Sequence, residues 1–83
     1  MKITVYTTPN CVQCNSTKRY FDKNDIEYET VDLSQDADAM AMVKELGYSV
    51  AHVVIAGNKH WSGFRLDQIK NVIAEIHLEN GHQ

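Results

Sequence analysis

Proline is almost missing from this 83-residue chain, with Pro9 as its single example, and no linker, internal repeat or low-complexity segment interrupts it. Cysteine is scarce too. Cys11 and Cys14 are the whole supply, and with only two residues between them they cannot staple distant segments as disulfides do in secreted mini-proteins. Positive charge is in deficit: 8 Lys and Arg face 11 Asp and Glu, for a net charge of −3. The basic residues are scattered, so the concentrated basic surface that a phosphate backbone demands is lacking and no nucleic-acid partner is expected. There is no apolar run long enough for a membrane span, and Met1 to Thr8 alternates where a secretion signal would be continuously apolar. These absences lead to the expectation of a cytoplasmic, monomeric protein with no membrane association. Its length and its 43% hydrophobic content suit one domain over residues 1–83 with one modest core.

What is present reads as alternating strands and helices. Lys2 to Thr7 has the alternation of a strand, with Ile3 and Val5 on one face, and Pro9 with Asn10 breaks it. From Val12 to about Asn24 the period is helical, with Cys14, Thr17 and Phe21 on one stripe. Ile26 to Leu33 reads as a second strand, of open facing. A second helix spans roughly Asp36 to Leu46, with Ser34 as a plausible N-cap and Gly47 as a left-handed stop. Val53 to Ala56 is a short apolar strand, Gly57-Asn58 signals a hairpin, and Lys59 to Ser62 returns antiparallel to it. A last helix follows Gly63, with Leu66, Ile69, Ile73 and Ile76 at helical spacing, and Asn80 to Gln83 frays. The order is βαβαββα. The right-handed first crossover sets strands one and two side by side in parallel, giving an α/β fold with a four-stranded mixed sheet flanked by three helices.

The chemistry concentrates at Cys11-Val12-Gln13-Cys14, where the first strand hands over to the first helix. A helix N-terminus presents unpaired N–H groups and favours negative charge, so the Cys11 thiol is expected to fall from the free value of about 8.5 toward roughly 3.5–7.5 and to be the attacking sulfur. Cys14 lies one turn on, placed to resolve a mixed disulfide formed on Cys11. A zinc site would need about four ligands, and His52, His60, His77 and His82 form no second pair at ligand spacing. Two inert buried cysteines are the plain alternative, which the junction of strand and helix disfavours.

These residues, together with Thr4-Val5-Tyr6-Thr7, Thr17-Lys18, Leu46-Gly47-Tyr48, Val53-Val54-Ile55 and Trp61-Ser62-Gly63-Phe64-Arg65, give the chain a resemblance to the NrdH-redoxins over nearly its whole length. The pairing of Cys-Val-Gln-Cys with Trp-Ser-Gly-Phe is specific to that pattern. The resemblance implies a thioredoxin-like fold and a glutaredoxin-like sequence. It implies a dithiol carrier that takes electrons from thioredoxin reductase and passes them to class Ib ribonucleotide reductase, with no bound cofactor. It also implies Cys11 as nucleophile, Cys14 as resolving thiol, and a partner-binding surface from Val12, Gln13, Ala51, His52, Trp61, Ser62, Gly63 and Phe64. Read from the residues alone, Trp61 and Phe64 fit core anchors as well as partner contacts.

Two departures from the wider pattern matter. Glutathione-using glutaredoxins present Thr-Val-Pro and a Gly-Gly pair ahead of an acidic residue, whereas this chain has Val50-Ala51-His52 and Ser62-Gly63-Phe64, with Asp67 echoing only the acidic position. The residue before Val53-Val54 is a cis-proline in the resembling proteins and His52 here. A cis bond before a non-proline residue costs about 3–4 kcal/mol, so a trans Ala51–His52 bond is expected. An imidazole beside two thiolates also opens a second reading, in which Cys11, Cys14 and His52 hold Zn²⁺ or, between two chains, an iron–sulfur cluster.

Overall fold

Ile3 and Val5 leave the first strand on one face and Tyr6 on the other, so any sheet built around it must be covered on both sides. The computed structural model describes residues 1–48 and 52–80, and its elements are β1 (Ile3–Thr7), α1 (Val12–Lys23), β2 (Glu29–Asp32), α2 (Ala37–Glu45), β3 (Val53–Ala56), β4 (Lys59–Ser62) and α3 (Leu66–Asn80). The sheet order is β2-β1-β3-β4. β1 and β2 are parallel, while β1–β3 and β3–β4 are antiparallel. Val5 sits opposite Val54, and Val54 opposite Trp61, so one row of side chains crosses three strands. The βαβαββα order and the mixed sheet expected from the sequence are those observed.

That row joins Ile3, Phe21, Ile69 and Val72 in the larger core, between the sheet and α1 with α3. A smaller core of Leu33, Val43 and Val53, with Tyr6 and Ile55 against it, lies under α2. The helix α1 buries Cys14, Thr17 and Phe21, the stripe read from the sequence. Among the described side chains of α3 the buried ones are Ile69, Val72 and Ile73, whereas Leu66, the helix's first residue, stays 37% exposed.

Two boundaries differ from the sequence reading. β2 is Glu29–Asp32 and not Ile26 to Leu33, because Ile26 belongs to the close of α1: its N–H donates to the Phe21 carbonyl at 3.0 Å and Asp25 takes a left-handed φ of 57°. Leu33, past the other end of the strand, turns into the smaller core. The N-cap of α2 is Asp36, whose carboxylate accepts from Ala39 N–H at 2.9 Å. Ser34 instead donates its hydroxyl to Asp32 Oδ1 at 2.6 Å, which closes a turn ahead of the helix.

Gly47 ends α2 as expected, with φ 95° and the Tyr48 N–H donating to the Val43 carbonyl at 3.2 Å. A side chain there meets the steric cost of the left-handed region, so Gly47→Ala is expected to lower stability by about 1–2 kcal/mol in urea unfolding. An unchanged midpoint would contradict this role for Gly47.

Candidate active site

Beyond β1 the chain turns through Pro9 and Asn10, whose φ of 63° lies in a region that asparagine tolerates better than most side chains. Cys11 is then the N-cap of α1, with extended φ −89° and ψ 106°. Its carbonyl takes the first helical bond, from Asn15 N–H at 3.2 Å, and its Sγ accepts from Cys14 N–H at 3.2 Å. Sulfur thus stands where serine or aspartate oxygen usually caps a helix, and the N–H aimed at it favours the anion over the thiol. Cys11 and Cys14 are joined as a disulfide with their Cα atoms 5.3 Å apart. Cys11 is half-buried and Cys14 fully buried, so an incoming partner meets the first sulfur and not the second.

Around this pair the side chains divide by exposure. Val12 is 76% exposed and Phe64 38% exposed, two apolar groups that face solvent. Gln13 is exposed, and its Oε1 lies 3.6 Å from where a Cβ on Gly63 would stand, so the two chain segments approach closely there. Gly63, at φ 78°, donates its N–H to the His52 carbonyl at 3.2 Å and extends the β3–β4 pairing by one residue. Ser62 is half-buried. Trp61 is buried at 3% exposure in the larger core, so of its two sequence readings the structure takes the packing one. Ala51 and the Ala51–His52 bond lie outside the described residues, as does His82. His60 and His77 are exposed, and His60 Nδ1 pairs with the Tyr48 hydroxyl at 2.8 Å.

His52 is only 3% exposed, and neither ring nitrogen has a hydrogen-bond partner. The Thr17 hydroxyl and Trp61 Nε1 are likewise buried without partners. Thr17 is the residue that sequence reasoning left out of the site: its spacing from Cys14 put it on the buried stripe, but a stripe does not say which polar groups stay unpaired.

Burial pushes the His52 imidazole below its ordinary value of 6.5, with the Gly63 backbone opposing. Well above that value the ring is neutral in both folded and unfolded chains and contributes no pH dependence. As pH falls below it, the unfolded chain takes up the proton first and stability is lost. Between roughly pH 7.5 and 5 the urea midpoint of the wild type is therefore expected to fall further than that of His52→Gln, and equal falls would contradict the assignment.

At the start of α3, Arg65 donates through Nε and Nη2 to the two carboxylate oxygens of Asp67 at 3.2 and 3.1 Å. This pairing holds the Asp67 carboxyl below its usual range, and it occupies the acidic group whose position echoes the glutathione-using pattern. Among the described residues no three His, Cys, Asp or Glu side chains come together as a metal-ligand set, so the three-ligand reading of Cys11, Cys14 and His52 has no geometric support. No helix among the described residues is long and apolar enough to cross a membrane.

A strand-to-helix disulfide of this kind, on a four-stranded mixed sheet, defines a thioredoxin-like redox protein, and comparison with known proteins agrees. The glutaredoxin family model matches residues 3–61. The glutaredoxin-like protein NrdH of Salmonella typhimurium is 40% identical over 80 residues, covering 96% of this chain and 99% of the relative, and that of Escherichia coli K12 is 38% identical over 72 residues, covering 87% and 89%. The solved structure of NrdH-redoxin from Escherichia coli, presented as the basis of its thioredoxin-like activity profile, superposes with a TM-score of 0.82 at 38% identity, covering 86% of this chain and 93% of that one. The thioredoxin-like protein BC3987 superposes at 0.75 with 29% identity, covering 86% and 99%. The chain belongs to the glutaredoxin family, and within it to the NrdH-type glutaredoxin-like proteins.

Proposed function

We propose that the chain is a cytoplasmic, monomeric protein-disulfide oxidoreductase that carries electrons from thioredoxin reductase to class Ib ribonucleotide reductase by dithiol–disulfide exchange. Cys11 attacks the disulfide of the target and forms a mixed disulfide, releasing one target thiolate. Cys14 then attacks Cys11 Sγ, releases the second target thiolate and closes the disulfide, so that two electrons have passed to the target. The reductase returns two electrons and reopens the pair.

The observation that carries this reading is the sulfur of Cys11 seated as the cap of α1 with Cys14 one turn behind it. The likeness to NrdH proteins supports the choice of ribonucleotide reductase as acceptor. Val12, Gln13, Ser62, Gly63 and Phe64, together with Ala51 and the buried His52, are assigned to the region offered to both partners, and Trp61 supports it from within. Against glutathione as donor stand the missing Gly-Gly pair and the engagement of Asp67 by Arg65.

The test couples NADPH oxidation to class Ib ribonucleotide reductase turnover in two reconstituted systems. One contains thioredoxin reductase, the other glutathione with its reductase. Sustained deoxyribonucleotide formation is expected in the first at a rate well above the second, and the reverse order would overturn the assignment of the donor.

A further inference from the structure

The helix α1 differs from the rest of the chain in the sign of its charge. It carries Lys18, Arg19 and Lys23 against Asp22 alone, a balance of +2 in a chain whose total is −3, so everything outside it comes to −5. On α2 and α3 the acids outnumber the bases, and Lys44 and Lys70 stand there singly. Other cations are engaged: Lys2 faces Glu29 at 3.6 Å, Lys59 binds Glu75, and Arg65 binds Asp67 at 3.1 Å. Among the described residues, Lys18, Arg19 and Lys23 form no ion pair. Asp22 follows Arg19 by three residues and Lys18 by four, the spacing at which helical charges pair, yet its carboxylate accepts from the Tyr28 hydroxyl at 2.9 Å. The cations of α1 are left facing water.

The buried stripe of Cys14, Thr17 and Phe21 fixes which way that charge points. At about 100° per residue, Val12, Arg19 and Lys23 lie on the side of the helix opposite the stripe, and all three are exposed. Val12 adjoins Cys11, the sulfur that an incoming partner meets first. Along the helix axis Arg19 stands about 10 Å beyond Val12, and Lys23 about 16 Å beyond it. Helical side chains lean toward the N-terminus, so both cations reach back toward the redox pair. No acidic residue occupies the first turn of α1 to repel an anion there. An extended chain advances about 3.3 Å per residue, so a target segment running along α1 from Cys11 meets Arg19 and Lys23 about three to five residues from its attacked cysteine. Three cations fall short of a nucleic-acid surface, but they suit a short acidic segment.

We propose that the exposed face of α1 docks an acidic segment of the target protein, in which Asp or Glu lies about three to five residues from the cysteine that Cys11 attacks. The inference rests on the dithiol reading above and names the chemistry of the chain that reading acts on. The negative remainder of the molecule repels the same segment, so the charge asymmetry turns an acidic target toward α1 and the sulfur at its start. Attraction between exposed charges acts mainly on the rate of encounter, and salt screens it.

The rate at which synthetic disulfide peptides oxidise the reduced protein, followed by rapid quench, tests this without any protein partner. The peptides share one intramolecular disulfide and differ only in a flank, which carries Asp, Gln or Lys about three to five residues from the nearer cysteine. At about 20 mM salt the Asp peptide is expected to react about tenfold faster than the Lys peptide, with the Gln peptide between them, and at about 0.5 M the three should agree within about twofold. Arg19→Glu combined with Lys23→Glu should reverse the order at low salt while the Gln peptide stays within about twofold of its wild-type rate. An Asp cluster moved to about ten residues from the cysteine should lose most of its advantage. Equal rates at low salt, or an order that survives the charge reversal, overturn the proposal. So does a low-salt dimer in sedimentation that the double variant loses, since the face would then belong to the acidic side of a second copy. Should the variant not fold, the wild-type salt series and the moved cluster decide. Failure of every peptide to oxidise the protein would strike the dithiol reading and this inference with it, whereas discrimination among the peptides without transfer to ribonucleotide reductase would uphold the inference and strike only the choice of partner.

Discussion

Cys11→Ser is expected to lower disulfide reductase activity by about 10³-fold or more, the scale seen when an enzyme loses its nucleophile, while the fold survives. Serine can still cap the helix, since its oxygen accepts the Cys14 N–H as readily as sulfur does. It cannot act as a thiolate. Cys14 cannot take over, because it is fully buried and no target disulfide reaches it. Cys14→Ser should behave differently. Its Cys11 remains at the mouth of the site, attacks once and stays trapped as a mixed disulfide, so intact-mass analysis should show a stoichiometric covalent adduct with the target. Equal adduct formation by Cys11→Ser would reverse the roles of the two sulfurs.

The second large effect concerns the scaffold. Phe21→Ala is expected to cost about 3–5 kcal/mol, the range for emptying a fully buried aromatic site. Phe21 is fully buried, lies at the centre of the larger core and meets the Tyr28 ring at 5.7 Å between centroids. Total stabilities of about 5–15 kcal/mol, with small domains toward the lower end, mean that this one truncation removes a large share and leaves the chain marginal at 37 °C. Val12→Ala, at a site 76% exposed, is expected to stay within about 0.5 kcal/mol of wild type, so the pair of urea curves separates core from surface. A small change for Phe21→Ala would mean that α1 is anchored elsewhere, and with it the cysteine pair.

Much of the architecture was legible because the local signals agreed with one another. Pro9 and Asn10 mark the turn, the Cys14-Thr17-Phe21 spacing marks the buried stripe, Gly47 marks the stop of α2, and Gly57 carries the φ of 60° that the hairpin needs. The misplaced boundaries came from competition between similar groups. Ser34 and Asp36 both suit an N-cap, and only the turn that Asp32 closes on Ser34 decides between them. Ile26 reads as the start of a strand, yet it serves the end of the preceding helix, because Asp25 adopts a left-handed φ that its side chain does not advertise.

At the site, the cysteines and their order follow from the junction of strand and helix, a local feature that sequence displays well. The direction of Trp61 does not, because a residue in a short edge strand can face either way until its neighbours are known. Its place opposite Val54 puts it inside. His52 stands out in the sequence for the proline it replaces, but its burial and its unpaired nitrogens depend on how the start of β3 and the Ser62-Gly63 exit of β4 come together. Long-range coincidences of that kind leave no mark in the local pattern.

The central physical claim is that the start of α1 holds the sulfur of residue 11 as an anion near neutral pH. The direct measurement is the rate of alkylation of reduced protein by iodoacetamide against pH, with Cys14→Ser used to isolate the exposed sulfur. An apparent pKa at least about one unit below the free thiol value of roughly 8.5 is predicted, and a value at or above about 8.5 would contradict the account.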